Sequence, residues 1–479
     1  MENIIELLLQ AVKEVPELVL FSDSEKEVTY AKALCRVKSI ALYLKKKKIV
    51  HQPILVPVDR NVETPLLFLG IAASSNYYVP IDKGAKEERW KDRIERGSIR
   101  YGFTSREGLL SLSFSEAREI NPSANEFNAM AEEYRKEEPL YLRFTSGSTG
   151  KPKGVLKSHE NVLSFAENFR KTFPEIPDGQ RIANQTPFFF DASAKDIYLT
   201  LKLKGTLFIP PKEAFVLPNK SVEYLNEKKI TRIRWVPSAL ILIARLRVLA
   251  FVKPLYLRYV FFIGEVFPVK YFNSWITYLP DVRYVNWYGS TEIAGACLCA
   301  RLTHPYPEDK PLPLGKPLFG NDVRLVDGEI VVSSKQVALG YLHDEERNRK
   351  TFVPANDGST LLHTGDFGHY DEKGNIIFSS RKDFQIKHLG YRIELQDIEA
   401  HAMELSYRSA CCCLYKKDKI ILIACLNKGI SKTTGEVKTD LSKVLADYRR
   451  PNKIVFLDSL PLNGNGKIDR TLLENERTD

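Results

Sequence analysis

The ten residues Thr145–Gly154, TSGSTGKPKG, constrain this chain more than any other segment. Consecutive Gly, Ser and Thr let a backbone turn its N–H groups inward, and hydroxyl and ammonium groups add donors, so the segment suits a polyphosphate. Such a loop needs a rigid element to leave from, and Leu140-Tyr141-Leu142-Arg143-Phe144 alternates like a strand end. The run Val155 to Phe165 is expected to open a helix, whose positive end also favours an anion. A Walker-type loop is excluded: Gly150-Lys151 is followed by Pro152, and Thr145 stands where the first Gly belongs. The competing reading is a flexible Ser/Gly linker.

Beyond that loop, strand-like runs alternate with helical ones up to about Ser380. Strands are expected at Ile54–Val58, Arg143–Thr145, Thr206–Ile209, Ile233–Val236, Tyr259–Ile263 and Arg283–Asn286, with helical patterns such as Ser221–Lys228 and Pro237–Val248 between them. This alternation predicts an α/β fold with largely parallel sheets flanked by helices. From Asp322 the pattern turns to short strands with tight turns, a small antiparallel section. Arg381-Lys382-Asp383 then reads as a hinge. After it come Ile386–Ile393, a helix from Leu395, strands at Ala410–Tyr415 and Ile420–Ala424, and a helix around Asp440–Asp447. The expected division is a core domain over residues 1–381 and a small, mobile α+β domain over residues 382–479. With 479 residues, more than one domain is the prior in any case.

Several function classes drop out. The N-terminal MENIIELLLQAVKEV carries Glu2 and an amphipathic pattern, so it reads as a surface helix and not a signal peptide. Val248 to Phe267, the longest apolar stretch, is interrupted by Lys253, Arg258 and Glu265, so no membrane insertion is expected. Seven cysteines without an export signal suggest reduced thiols in the cytoplasm. Cys411-Cys412-Cys413 alternate in direction on a strand and do not share one tetrahedral metal, and Cys297 and Cys299 lack a second ligand pair. The net charge of +10 is mild for this length, and Lys45–Lys48 fits a solvated helix end. No basic stripe is interleaved with aromatics, so no nucleic acid is expected.

Three further stretches carry chemistry. In Asn286-Trp287-Tyr288-Gly289-Ser290-Thr291-Glu292, Tyr288-Gly289 is expected to turn and lay a ring against a flat ligand. Thr291 offers a phosphate donor and Glu292 a hard oxygen for Mg²⁺; a plain turn and helix cap would use the same residues. In Thr364-Gly365-Asp366 a carboxylate held at a turn can accept both hydroxyls of a ribose, with Arg381 in reach of the same sugar or a phosphate; a charged loop tip is the alternative. In Asn463-Gly464-Asn465-Gly466-Lys467 two glycines make a pliable loop whose lysine can enter a site, though a hairpin turn looks the same.

In this order the four stretches resemble the adenylate-forming superfamily of acyl-CoA synthetases, luciferases and nonribosomal peptide adenylation domains. The resemblance extends to Tyr78-Val79-Pro80-Ile81-Asp82, Gly340-Tyr341, Asp383 and Gly390-Tyr391-Arg392-Ile393-Glu394. The amino-acid-activating branch matches best, because FFFDASAKDIY resembles its FDxS motif and NGNGKIDR its ending. Length and order are similar to those of stand-alone D-alanine–carrier-protein ligases. Ala72-Ala73-Ser74-Ser75-Asn76 and Ser290 depart from the usual pattern.

The resemblance implies ATP and Mg²⁺, and a two-step reaction: an amino acid is adenylated with release of pyrophosphate, then passed to a phosphopantetheine thiol. Lys467 would be the catalytic residue. Thr145, Ser146, Gly147, Ser148, Thr149, Gly150 and Lys153 would hold phosphates. Asn286, Tyr288, Gly289, Ser290 and Thr291 would line the nucleotide site, Asp366 and Arg381 would grip the ribose, and Glu292 would hold the metal. The smaller domain would turn about Asp383 and bring the loop at Gly390 to the thiol tunnel. Carried over position by position, the acyl pocket comprises Asp191, Ala192, Lys195, Trp235 and Phe261, then Ile263, Trp287, Gly295 and Ala296. Asp191 would pair with the substrate's α-ammonium, and the two tryptophans favour a small amino acid. Lys195 has two readings: it points inward to a second carboxylate, or it snorkels out from its helix. Few residues follow Lys467, so a separate carrier protein is the expected thiol donor. The rivals are an acyl- or aryl-CoA ligase, and a non-catalytic protein on the same fold.

Overall fold

In the computed structural model the described residues are 3–120, 135–145, 152–355, 359–381, 385–405, 408–427, 429–461 and 468–476. The chain falls into two compact units, one of Met1–Phe144 with Gly154–Ser380, the other of Thr145–Lys153 with Arg381–Asp479. Among the described residues no helix is long and apolar enough to cross a membrane.

The larger unit holds three sheets. A nine-stranded sheet runs in the order Lys316–Pro317, Leu298–Leu302, Arg283–Tyr288, Tyr259–Ile263, Arg232–Trp235, Arg181–Ala183, Thr206–Phe208, Val19–Ser22, Glu27–Thr29. Its middle pairs are parallel and its end pairs antiparallel. Parallel strands are buried on both faces, so they read as nearly continuous apolar runs, and YVFFI at Tyr259–Ile263 is wholly buried. A seven-stranded sheet contains Lys153–Ser158, Pro139–Thr145, Tyr77–Asp82 and Pro53–Val58 as neighbours. The third sheet is antiparallel and holds Asp322–Val326, Glu329–Ser333 and Thr360–Tyr370. Asp327 and Gly328, both with positive φ, turn its first hairpin, as an Asp-Gly pair allows.

Three sequence expectations need correction. The phosphate-type loop is not followed by a helix: Lys153–Ser158 is a strand, paired antiparallel with Gly340–Tyr341. The helix begins only at His159, where Ser158 and Asn161 form a reciprocal capping box. A loop between two strands has no helix N-terminus to offer an anion, so backbone and side-chain donors must serve. Second, Thr364-Gly365-Asp366 is not at a turn but inside the long Thr360–Tyr370 strand, where pairing to Glu329–Ser333 slips and Gly365 takes φ +71°. Such a bulge re-aims the side chain that follows it. Third, the late helix spans Thr434–Val444, earlier than expected, because Thr433 and Glu436 close a capping box.

The smaller unit has a hairpin of Gln385–His388 and Tyr391–Glu394, and a three-stranded sheet of Arg408–Lys416, Lys419–Leu426 and Lys453–Phe456. Helices Leu395–Met403, Thr434–Val444 and Arg470–Glu476 accompany it. Strand alternation sends Cys411 and Cys413 into one apolar cluster and Cys412 into another.

His159 shows how the core couples to pH. It is buried, and the Ile4 N–H donates to its Nδ1 at 3.2 Å. Burial holds its pKa down at about 3, so the folded protein keeps it neutral where an unfolded chain takes up a proton. The stabilisation is therefore complete above about pH 6.5 and drains away as pH falls towards 3. We expect urea-unfolding free energy to drop over this window by up to about 1.4 kcal/mol per pH unit from this group. His159→Asn, which keeps an acceptor for Ile4, should flatten the slope between pH 6.5 and 5. An unchanged slope assigns the pH dependence to other groups.

Candidate functional site

The register of the nine-stranded sheet sorts the candidates. Residues paired across parallel strands share a face, and alternation sends their neighbours to the other. Phe261 and Ile263 lie on one face with Trp287 and pack with Phe165 and Phe169 of the His159–Thr172 helix and with Phe173 just after it. The Trp287 ring is 4.5 Å from that of Phe261 and 5.8 Å from those of Phe165 and Phe169. Asn286 and Tyr288 take the opposite face. One strand thus sends adjacent residues to two different environments, the side expected to hold the acyl group and the side expected to hold the nucleotide.

Trp235 does not belong with Phe261. It faces the other way, in a separate core cluster, donating from Nε1 to Ala183 O at 3.1 Å. The period of two that turns Trp235 away places Arg234 on the Phe261 face, where Asp196 binds its guanidinium at 2.7 and 2.8 Å. Gly295 and Ala296 stay on the Trp287 side. Gly295 has φ +81°, and a Cβ there would sit 2.0 Å from the Phe165 ring, so only glycine fits.

Asp191 precedes the Ala192–Lys202 helix without capping it. Its carboxylate is met from three sides: Tyr141 Oη donates at 2.9 Å, Lys157 Nζ at 2.8 Å and Lys195 Nζ, one helical turn on, at 3.4 Å. All are deep, with side-chain exposures of 9% for Asp191, 0% for Lys157 and 6% for Lys195. Lys195 is therefore turned inward, and the snorkelling alternative is excluded. Lys157 also donates to Ile293 O at 3.1 Å, tying the Asp191 cluster to the segment that carries Glu292 and Gly295. Burial pushes the Asp191 pKa up, but Lys157, Lys195 and Arg143 outweigh it and hold it at about 2. Burial lowers Lys195 to about 8 against the pull of Asp191, with Lys157 and Arg234 adding to the lowering.

On the other face Tyr288 Oη donates to Asp366 Oδ2 at 2.6 Å. Thr364 Oγ1 accepts from the Asp366 N–H at 3.1 Å, and Gly365 N–H donates to Glu329 at 2.8 Å, fixing the bulge that aims the carboxylate. The strand extends through Tyr288, so the turn starts at Gly289, where a Cβ would meet Gly295 O at 2.8 Å. Asn286 spends its amide on Pro313 O at 2.7 Å. Ser290 and Thr291 are half-buried, and Glu292 is buried with Tyr341 Oη donating to it at 2.8 Å. Magnesium takes one or two carboxylates along with phosphate oxygens and water, and a buried, hydrogen-bonded carboxylate beside a threonine fits that demand.

Thr145 ends one strand and Lys153 begins the next; Ser146, Gly147, Ser148, Thr149 and Gly150 between them lie outside the described residues. So do Asp383 and Lys467. Arg381 closes the Ile376–Arg381 strand, and Gly390 sits in the turn of the smaller unit's hairpin with φ +82°.

Sequence reasoning missed Lys157 and Arg143, and it named Tyr341 only within the resemblance, without a role. The signal was there for the first two: a cation in the middle of an apolar strand, VLKSH and YLRFT, is expensive unless a partner awaits it. What the strand pattern lacks is the partner's address.

Comparison with known proteins follows the same lines. The family described as AMP-binding enzyme matches residues 8–342. A D-alanine–D-alanyl carrier protein ligase of Lactococcus lactis is 29% identical, over 100% of both chains. One of Lacticaseibacillus paracasei is 30% identical, over 98% of each. The crystal structure of IdnL1 superposes with a TM-score of 0.82 at 25% identity, covering 96% of this chain and 99% of that one.

Proposed function

Because the chain belongs to the AMP-binding enzyme family, we propose that it adenylates an amino acid with ATP and passes the aminoacyl group to the phosphopantetheine thiol of a separate carrier protein. The observation that carries this reading is full-length similarity to ligases named for D-alanine and its carrier, joined to a buried carboxylate at Asp191 on the acyl side.

In the first step the substrate carboxylate attacks the α-phosphorus of ATP and pyrophosphate leaves. The protein's work is alignment and charge placement. Ser146, Gly147, Ser148, Thr149 and Gly150, flanked by Thr145 and Lys153, hold the phosphates. Tyr288, with Asn286, Gly289, Ser290 and Thr291, borders the nucleotide, and Asp366 and Arg381 take the ribose. Glu292 would hold Mg²⁺, which neutralises phosphate charge when bound. Lys467 stabilises charge as it develops between carboxylate and α-phosphate. The domain of residues 382–479 then turns about Asp383, and the Gly390 loop admits the thiol, which displaces AMP as the thioester forms. In the pocket, Ala192, Lys195, Phe261, Ile263, Trp287, Gly295 and Ala296 surround the side chain, while Asp191 shares its charge between Lys157 and the substrate's ammonium.

The test is ATP–pyrophosphate exchange against the L- and D-amino acids, β-alanine and a few aryl acids, followed by loading of a phosphopantetheinylated carrier protein. Exchange with an amino acid and a carrier-bound thioester are the expected results. Thioester formation with free coenzyme A alone, and never with a carrier, would identify an acyl-CoA ligase instead.

A further inference from the structure

The charges around Asp191 do not balance. Arg143, Lys157 and Lys195 act on this one carboxylate, and Arg234, next in reach of Lys195, is matched by Asp196. Four cations therefore face two carboxylates. Counting Glu292, which also acts on Lys157, still leaves positive charge in excess. Arg143 is the sharpest case. It is 2% exposed, and its Nη1 donates to the carbonyls of Phe188 and Phe190, fixing the turn that leads to Asp191. Its guanidinium lies over the Tyr141 ring at 5.1 Å and beside the Tyr78 hydroxyl, but among the described residues its Nε and Nη2 find no hydrogen-bond acceptor, and neither does Nη1 of Arg234. A buried guanidinium with an unused N–H fork is costly unless an acceptor arrives to fill it, and a carboxylate matches that fork in shape and charge.

We propose that the acyl pocket takes an amino acid with a side-chain carboxylate, which docks on the cation cluster of Arg143 and Lys195 while Asp191 retains the α-ammonium. A neutral short side chain leaves both the fork and the excess charge unmet. This inference rests on the amino-acid adenylation reading and narrows its substrate class.

The full-length protein is assayed by pyrophosphate exchange with aspartate and glutamate in both configurations, alanine, glycine, and succinate and glutarate as dicarboxylates without an amine. An acidic amino acid should exceed alanine and glycine in kcat/KM by on the order of 10²-fold or more, since a site with buried donors rejects a ligand lacking the acceptor. In Lys195→Met the ratio of acidic to neutral amino acid should fall by about 10- to 100-fold. Arg143→Lys, which keeps the charge and loses the fork, should lower the same ratio and raise KM for the acidic substrate more than it lowers kcat. Preference for alanine or glycine in the wild type overturns the acidic side chain but leaves amino-acid adenylation standing. Equal turnover of succinate or glutarate overturns the role of the ammonium. Exchange with none of these acids overturns the acidic side chain, and the adenylation reading falls with it only if the wider set of amino acids also gives no exchange.

Discussion

Asp191→Asn is expected to destabilise the protein by about 3–5 kcal/mol, seen as a lower urea midpoint at unchanged slope. The substitution removes the carboxylate that Lys157 reaches at 2.8 Å and Lys195 at 3.4 Å, and leaves both ammonium groups buried beside Arg143. Removing one partner of a buried pair costs more than the pair contributes, because the stranded charge keeps its desolvation penalty. The opposite deletion is milder. In Lys157→Met, Asp191 keeps Lys195 and the Tyr141 hydroxyl, so the loss should be clearly smaller, and Lys157→Met combined with Asp191→Asn should recover part of it. The pH dependence has a definite sign. Burial already depresses Lys195 to about 8, and losing Asp191 depresses it further, so the folded variant sheds protons that unfolded lysines keep. Its stability should therefore rise between pH 7 and 9 more steeply than that of the wild type. A wild-type midpoint for Asp191→Asn would mean that these lysines do not depend on Asp191.

Lys467→Ala should slow adenylate formation by about 10²- to 10³-fold, the loss typical when one donor to transition-state charge is removed. Single-turnover pyrophosphate release reads this step by itself. Thioester formation from a supplied aminoacyl-adenylate should change little, since the proposed second step does not use Lys467. The fold should tolerate the change, since the flanks of the loop are held independently: Asp469 N–H donates to Pro461 O at 2.8 Å, and Arg470 pairs with Glu399 through two bonds of 2.7 and 2.8 Å. Equal losses in both half-reactions would assign Lys467 a structural role.

Much of this molecule is legible in its sequence because much of it is local. Apolar runs such as YVFFI announce central parallel strands, and Leu395 starts a helix where the strand pattern stops. TSGSTGKPKG, NWYGSTE, TGD and NGNGK pointed to the AMP-binding family because their order is specific even where each is weak, and the family match agrees. Local reasoning failed where a signal had two physical outcomes. Apolar residues after Lys153 suit a helix or a strand, and pairing with Gly340–Tyr341 decided for strand. A glycine before Asp366 suits a turn or a bulge, and the partner strand made it a bulge. Trp235 was misplaced by a single residue of register, and that one step exchanges it for Arg234.

What the sequence by itself pointed to is the family and the reaction class: contiguous motifs in a specific order carry the resemblance, and the family match over residues 8–342 agrees with it. What only the tertiary structure decided is the electrostatics of the acyl pocket. Lys157 and Arg143 come from separate strands and Asp191 and Lys195 from the start of one helix, and only the latter two carried a reading before folding brought them together. Burial raises the energy of each charge until distance to the others governs it. Distance between residues remote in the chain is set by folding, and so is the crowding of positive charge around Asp191.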